Sequence, residues 1–486
     1  MDATGRAMVL FFIAGMASFI IFHVYGNISL TMGRYFLVHR DVHHQLREPK
    51  PLKASFYRSY SKFASPIQAT SPPRVHHLTS YGADPSGKTD STQAIVEAIS
   101  DALKGPSNGF LMNGILNLGG AQIELDGGNY MIGRPLQFSL AGRGNLVIQG
   151  GTIKSSDNFP NDGYLIDLSP SDNSSLEYNY EFVKLRDLFL DANFRGGGIR
   201  VVNSLRTSID NCYITHFTTN GILVQGGHET NIRNSFLGQH ITAGGDTGER
   251  NFSGTAINLM GNDNAVTDVS IFSAEIGIMI SGEGNTLSGV HCYNKAAGYG
   301  GIGIYLKVPS GLTRTRIVNS YLDFTGIVVE DPVQLHISSS FFLGDAYILL
   351  KSVKGVAIGV NIVDNMFTGY NKGIDNIQLD QENGGFTKVD QVVIDRNNVK
   401  GMNLKSTVAR RSVQGIGSSW LIDLNSELLF PNLIKQLHYT FIANGNAFPK
   451  HALRHVSNNQ VLIESDVPVE ATIYITGDQG SSLVAN

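Results

Sequence analysis

The sequence predicts an all-β fold: a right-handed parallel β-helix with an N-terminal capping helix and a small C-terminal β appendage. Three observations predict it. First, short β-branched runs punctuated by Gly and Asn recur from about residue 120 onward, among them SIDNCYITHFTTNGILVQGG (208–227), AVTDVSIFSAEIGIMISGEG (265–284) and VQLHISSSFFLGDAYILLKS (333–352). Second, Tyr213, Phe236, Phe272, Tyr293, Tyr321, Phe342 and Phe367 mark the recurrence at intervals of 21 to 36 residues. Each interval holds two or three short strands and no helical pattern. That is one coil of a solenoid, whose apolar face is buried only by stacking on its neighbours. Third, 54 of 486 residues are glycine and only 16% are charged, which suits strands and turns better than helices. A leucine-rich horseshoe has similar periods but needs an L-x-x-L-x-L pattern that this chain lacks. A β-sandwich would show hairpin turns instead of this recurrence.

The elements follow in chain order. Residues 8–22, MVLFFIAGMASFIIF, are an apolar run preceded by Arg6. Residues 1–26 therefore read as a secretory signal peptide, with an uncleaved signal anchor as the rival reading. The basic flank from Arg34 to Lys62 keeps both readings open, because basic residues favour the cytoplasmic side. The expected destination is extracellular, and any membrane attachment is confined to this anchor. Residues 27–74 lack apolar periodicity and read as a flexible linker.

Residues 81–95, YGADPSGKTDSTQAI, contain a match to the phosphate-loop pattern G-x-x-x-x-G-K-[ST] from Gly82 to Thr89. Asp90 and Gln93 make a capping-box pair, and Ala94, Ile95, Ala98, Ile99, Ala102 and Leu103 share one helical face. A nucleotide domain needs alternating strands and helices, and none follow. Pro85 removes one amide from the cradle, and Asp84 and Asp90 place negative charge beside it. The segment is thus expected to be a turn that binds no nucleotide, leading to a helix at 91–103 that covers the first coil.

The β-helix is expected over 75–410. Asn211, Asn234 and Asn319 sit at turns, where stacked side chains can satisfy backbone groups. After about 410 the recurrence stops. WLIDL, HYTFIA, VLIES and EATIYIT alternate like half-buried strands, so 411–486 is the β appendage that closes the far end.

The formal net charge of −4 provides no global basic field, so nucleic acid is not an expected partner. Cys212 and Cys292 cannot build a disulfide framework and read as buried small apolar residues. N-x-[ST] acceptors at Asn27, Asn173 and Asn251 fit a secreted chain, with Asn173 and Asn251 as expected glycan sites in the folded part.

With the coils in view, the sequence resembles the pectate-lyase-like β-helix superfamily, and more narrowly the plant Quartet-type polygalacturonases. FRGGGI, HFTTNGILVQGGHET, NSFLGQH, GVHCYNK, YLDFTGIVVEDPV and SNNQVLIESD carry the likeness, which runs from about Tyr81 to Asp466. The resemblance implies a glycoside hydrolase of the cell wall that acts on pectin, with polygalacturonate as its partner and no cofactor or metal. A lyase on the same fold and a non-catalytic glycan binder are the alternatives. General polygalacturonases carry Asn-Thr-Asp, Gly-Asp-Asp, Gly-His-Gly and Arg-Ile-Lys motifs. This chain instead has TTNGILV, with Thr219 and Asn220, where paired aspartates would precede a strand.

Glycoside hydrolysis uses two carboxyl groups flanking the bond, and a uronate needs cations, Arg above all. In a solenoid, loops leading into equivalent strands line one groove. The longest, GQHITAGGDTGERNFSGT (238–255), holds His240, Asp246, Glu249 and Arg250. Asp246 and Glu249, with Asp191 as reserve, are the expected acid/base carboxyls. Arg195, Arg250 and Lys295 are expected to hold uronate carboxylates, with Tyr299 beside them. His216 and His240 would bond sugar hydroxyls or tune a carboxyl. Glu275 and Asp323 occupy similar pre-strand positions.

Overall fold

The structure, a computed structural model, describes residues 74–170, 176–239, 253–293, 301–309 and 311–480. One coil shows how the chain winds. Strand Ser208–Asp210 turns at Asn211 (φ 50°) into Tyr213–Thr215, which turns at His216 (φ 56°) into Asn220–Gln225. Each strand pairs in parallel with its counterpart one coil on: Ile209 with Ile232, Ile214 with Leu237, Ile222 with Ile257. Repeated, this gives a ten-stranded parallel sheet and a 24-stranded one that takes two strands from most coils. The helix is right-handed.

The three-residue strands explain the sequence pattern. Side chains alternate along a strand, so only the middle residue of three points inward. Ile209, Ile214, Ile232, Leu237, Val266 and Ile271 hold those positions and are buried. Strands of the ten-stranded sheet point two residues inward, such as Ile222 with Val224 and Ile257 with Leu259. At the second position of these strands neighbouring coils come close. A Cβ on Gly221 would stand 2.6 Å from the Ala256 carbonyl oxygen, so small residues, Gly221, Ala256, Gly277 and Gly303, stand second in these strands.

The aromatic markers separate into three positions. Tyr213 and Phe236 are register partners and stack outside at 4.4 Å, whereas Phe272 aligns with Gly238 and pairs with Tyr293. Phe342 and Phe367 point inward and stack in the core, also at 4.4 Å. The polar ladder is likewise displaced by one residue. Asn211 and Asn234 are outer corners whose amides reach Asp187 and Asp210 of the preceding coil. The buried ladder uses the next residue: Ser340 accepts the Ser320 amide, Asn365 that of Ser340, and Asn397 that of Asn365, at 3.0–3.1 Å.

Both ends are covered. Helix Thr92–Lys104 puts Ile95, Ala98, Ile99, Ala102 and Leu103 into the solenoid core. The capping box does not form: Asp90 Oδ1 accepts the Thr92 amide at 2.8 Å, but the Gln93 side chain bonds Glu97 and Arg134. Ahead of the helix, Asp84 turns the phosphate-loop match inward. Its carboxylate accepts the backbone amides of Ser86, Lys88 and Thr89 at 2.9–3.1 Å. The hydrogen bonds from Ser86 and Thr89 hold its pKa well below the usual carboxylate range. At the other end the last rung strand is Asn398–Lys400, and an antiparallel sheet begins at Val408. Trp420, Ile422, Val461, Ile463 and Ile473 give that sheet its own core.

Candidate active site

The segments 192–196 and 216–219 lead from the 24-stranded sheet into the ten-stranded one at the same corner of successive coils. Asp191 ends strand Tyr180–Asp191, with Lys154 and Thr215 as register partners on either side. Their side chains therefore leave the same face. His216 Nδ1 lies 2.8 Å from Asp191 Oδ1, and the Asn193 amide donates to that oxygen at 2.8 Å. Lys154 Nζ lies 3.4 Å from Oδ2. Burial alone would raise the Asp191 pKa. The His216 hydrogen bond, the Asn193 amide and the Lys154 charge outweigh it and hold the carboxyl below its ordinary value. The surroundings of Asp191 thus favour its charged form. Because a carboxylate only accepts hydrogen bonds, His216 presents Nδ1–H to it and keeps Nε2 for another partner.

The backbone here is bent hard. Asn193 and Phe194 both adopt positive φ, 50° and 59°, a conformation costly for a bulky aromatic and concentrated at functional sites. It leaves Phe194 54% exposed, with its ring centroid 4.4 Å from that of His216. Gly196 (φ 62°) allows segment 156–163 to close in, since a Cβ there would meet the Gly163 carbonyl oxygen at 2.1 Å. Arg195 ties the same segments together, donating from Nη1 to Phe159 O (3.2 Å) and Asn161 Oδ1 (2.9 Å). Two of its five donor positions are spent this way. Thr215, wholly buried, has a hydroxyl without a hydrogen-bond partner among the described residues, a deficit worth about 1–3 kcal/mol.

The expectations divide accordingly. Asp191, Arg195 and His216 come together at one corner, with Asp191 and His216 in direct contact. Asp246, Glu249, His240, Arg250, Lys295, Tyr299, Asn173 and Asn251 lie outside the described residues. Among the described strands, Phe236–Gly238 lies one coil and His291–Tyr293 three coils beyond Tyr213–Thr215 in the 24-stranded sheet. Lys154, Asp157, Asn193 and Phe194 join the site without having been singled out in the sequence. The signal for Asp157 was its place in SDNFPNDG, a turn one coil before Asp191.

The outer face of the ten-stranded sheet is built differently. At the strand starts stand Asn220, Thr255, Ile276 and Ile302, which are aligned in register and include no acid. Asn220 links Tyr164 Oη at 2.8 Å to Asn258 at 3.3 Å through its amide. Asp167 is held bidentate by Arg200 at 2.8 and 2.6 Å. Further along, Tyr305 donates to Glu330 at 2.5 Å, and burial together with that carboxylate pushes the phenol up to about 12. Cys212 and Cys292 are free and buried, and burial pushes both thiols up to about 12. Among the described residues no group of His, Cys, Asp and Glu is arranged to hold a metal ion.

The rhamnogalacturonase A/epimerase, pectate lyase-like family profile matches residues 76–302. The polygalacturonase QRT3 of Arabidopsis thaliana is 61% identical over 442 residues, covering 90% of this chain and 92% of that protein. The chain belongs to the Quartet-type polygalacturonase family. Among solved structures, ORF18 of Geobacillus virus E2 superposes with a TM-score of 0.54 at 14% identity, over 82% of this chain and 78% of that one. The endo-xylogalacturonan hydrolase of Aspergillus tubingensis gives 0.48 at 14% identity, over 68% and 92%. At such identities the viral likeness speaks for the solenoid alone. The coils, not any transferred acid pair, are what this family membership shares with distant structures.

Proposed function

We propose that the chain is a glycoside hydrolase that cleaves galacturonide linkages in pectin, by inversion, with Asp191 as the proton-accepting carboxylate. The observation that carries the substrate is the 61% identity to a polygalacturonase across 92% of its length. The observation that supports the role of Asp191 is the set of donors that keep it anionic: His216, the Asn193 amide and Lys154. Arg195, Arg250 and Lys295 supply cations for uronate carboxylates, and Asp246 and Glu249 are carboxyls of the neighbouring segment. Phe194 and His216 form a ring-lined wall beside the carboxylate on which the apolar face of a pyranose can rest.

The same reading places the protein outside the cell, in the wall, delivered by residues 1–26 and glycosylated at Asn173 and Asn251. It binds no nucleotide, which accords with Asp84 occupying the amides of Ser86, Lys88 and Thr89. The test is incubation of the secreted chain with de-esterified polygalacturonate, followed by assay of new reducing ends and of the anomer first released. Inverted product without unsaturated uronide supports the reading. An unsaturated product points to elimination, and retained binding without product points to a glycan binder.

A further inference from the structure

Resting on this hydrolase reading, we propose that Asp157 is the proton-donating carboxyl that works with Asp191 across the gap between segments 156–163 and 192–196. Asp157 follows strand Arg143–Ser155, one coil before Asp191, and is exposed. A single side chain joins the two acids. The Asn193 amide N–H donates to Asp191 Oδ1 at 2.8 Å, while Asn193 Nδ2 donates to Asp157 Oδ1 at 3.0 Å. One asparagine between them keeps the carboxyls within about 10 Å, the span over which glycosidases place their acid and base.

Other features of the gap also point to a bound sugar. Phe194 is held in a left-handed conformation with over half its surface exposed. Arg195 fixes the height of the Asp157 segment through Phe159 O and Asn161. The two acids also differ in their surroundings. Asp191 is enclosed by donors, whereas Asp157 is exposed and accepts the Asn193 side-chain amide, so it faces the open gap in which a leaving group would lie.

The step balances. Asp191 takes a proton from a water whose oxygen bonds to the anomeric carbon. The glycosidic C–O bond breaks with its electron pair on the departing oxygen, which takes the proton of Asp157. Exchange with solvent restores both carboxyls.

The experiment compares Asp157→Asn, Asp191→Asn, Asp246→Asn and Glu249→Gln in the full chain. Each is assayed on polygalacturonate and on an aryl oligogalacturonide whose nitrophenolate leaves without protonation. Asp157→Asn should lower kcat on polygalacturonate by ~10²–10⁴-fold yet stay within ~10-fold of the parent on the aryl substrate. Asp191→Asn should lose both activities. The proposal is overturned if Asp157→Asn stays within a few-fold of the parent on polygalacturonate, or loses both substrates equally. It is also overturned if Asp246→Asn or Glu249→Gln shows the leaving-group signature instead. A parent chain inactive on polygalacturonate but folded would overturn the hydrolase reading itself, a result separate from any of these. Asp157 is exposed, so an unchanged unfolding temperature is expected for its variant.

Discussion

His216 Nδ1 meets Asp191 Oδ1 at 2.8 Å across two adjacent coils, with the imidazole coming from a corner residue at φ 56°. The contact joins the fold to the chemistry. The corner that turns the chain from one sheet to the other also delivers the donor that keeps a half-buried carboxyl ionised.

Replacing His216 by Ala removes the strongest of the influences that lower the Asp191 pKa. The acid limb of the kcat/KM profile, set by a carboxylate that must be deprotonated, should move to higher pH. His216→Gln, which can still donate one hydrogen bond, should restore part of the shift. An unchanged acid limb in His216→Ala would break the link between the two residues.

The same shift makes a statement about stability. The Asp191 pKa is depressed in the folded chain, so its stabilising contribution is present above the ordinary carboxyl range and lost as pH falls through the folded value. The unfolding temperature of Asp191→Asn should lie below that of the parent at pH 7. The gap should narrow below about pH 4. Parallel melts across that window measure it.

Phe194 is expected to contribute binding more than chemistry. Phe194→Ala should raise KM by ~2- to 12-fold, the worth of one ring contact of about 0.5–1.5 kcal/mol, with kcat nearly unchanged. Steady-state kinetics on oligogalacturonides separate the two parameters.

The buried ladder predicts where the solenoid is vulnerable. Asn365 accepts the Ser340 amide and donates to Ile337 O and Asn397 Oδ1, all within 3.1 Å. Asn365→Ala leaves the Ser340 amide unpaired in the core, while Asn397 Oδ1 keeps the backbone amide of residue 365, and should cost about 1–3 kcal/mol. Asn211→Ala, at an exposed outer corner, should cost less. Denaturant titration of both variants compares them.

Much of this architecture is legible in the sequence, because a solenoid repeats its burial pattern in every coil. The recurrence of β-branched triplets gave the coils, and the apolar face of 94–103 gave the cap. Register is harder to read. Phe342 and Phe367 look like the same marker as Tyr213 and Tyr321, but a one-residue step sends a side chain from the surface to the core. The polar ladder slipped by one residue for the same reason. Asp84 shows the limit of motif reading: the glycines and the lysine match a phosphate loop, while the carboxylate that fills it is permitted by the pattern's unspecified positions.

The site was legible only where its members are neighbours along the groove. Asp191, Arg195 and His216 fall at one corner because they precede strands at coil spacing. Asp157 and Lys154 were not legible, since their relation to Asp191 exists only through register between coils. Their contribution comes from pairing geometry, which composition does not encode.

The most direct test of the account is the product released from de-esterified polygalacturonate with and without chelator. The account predicts new reducing ends of inverted configuration, no unsaturated uronide, and the same rate in chelator. An unsaturated product that chelator abolishes, or tight binding with no product at all, would contradict it.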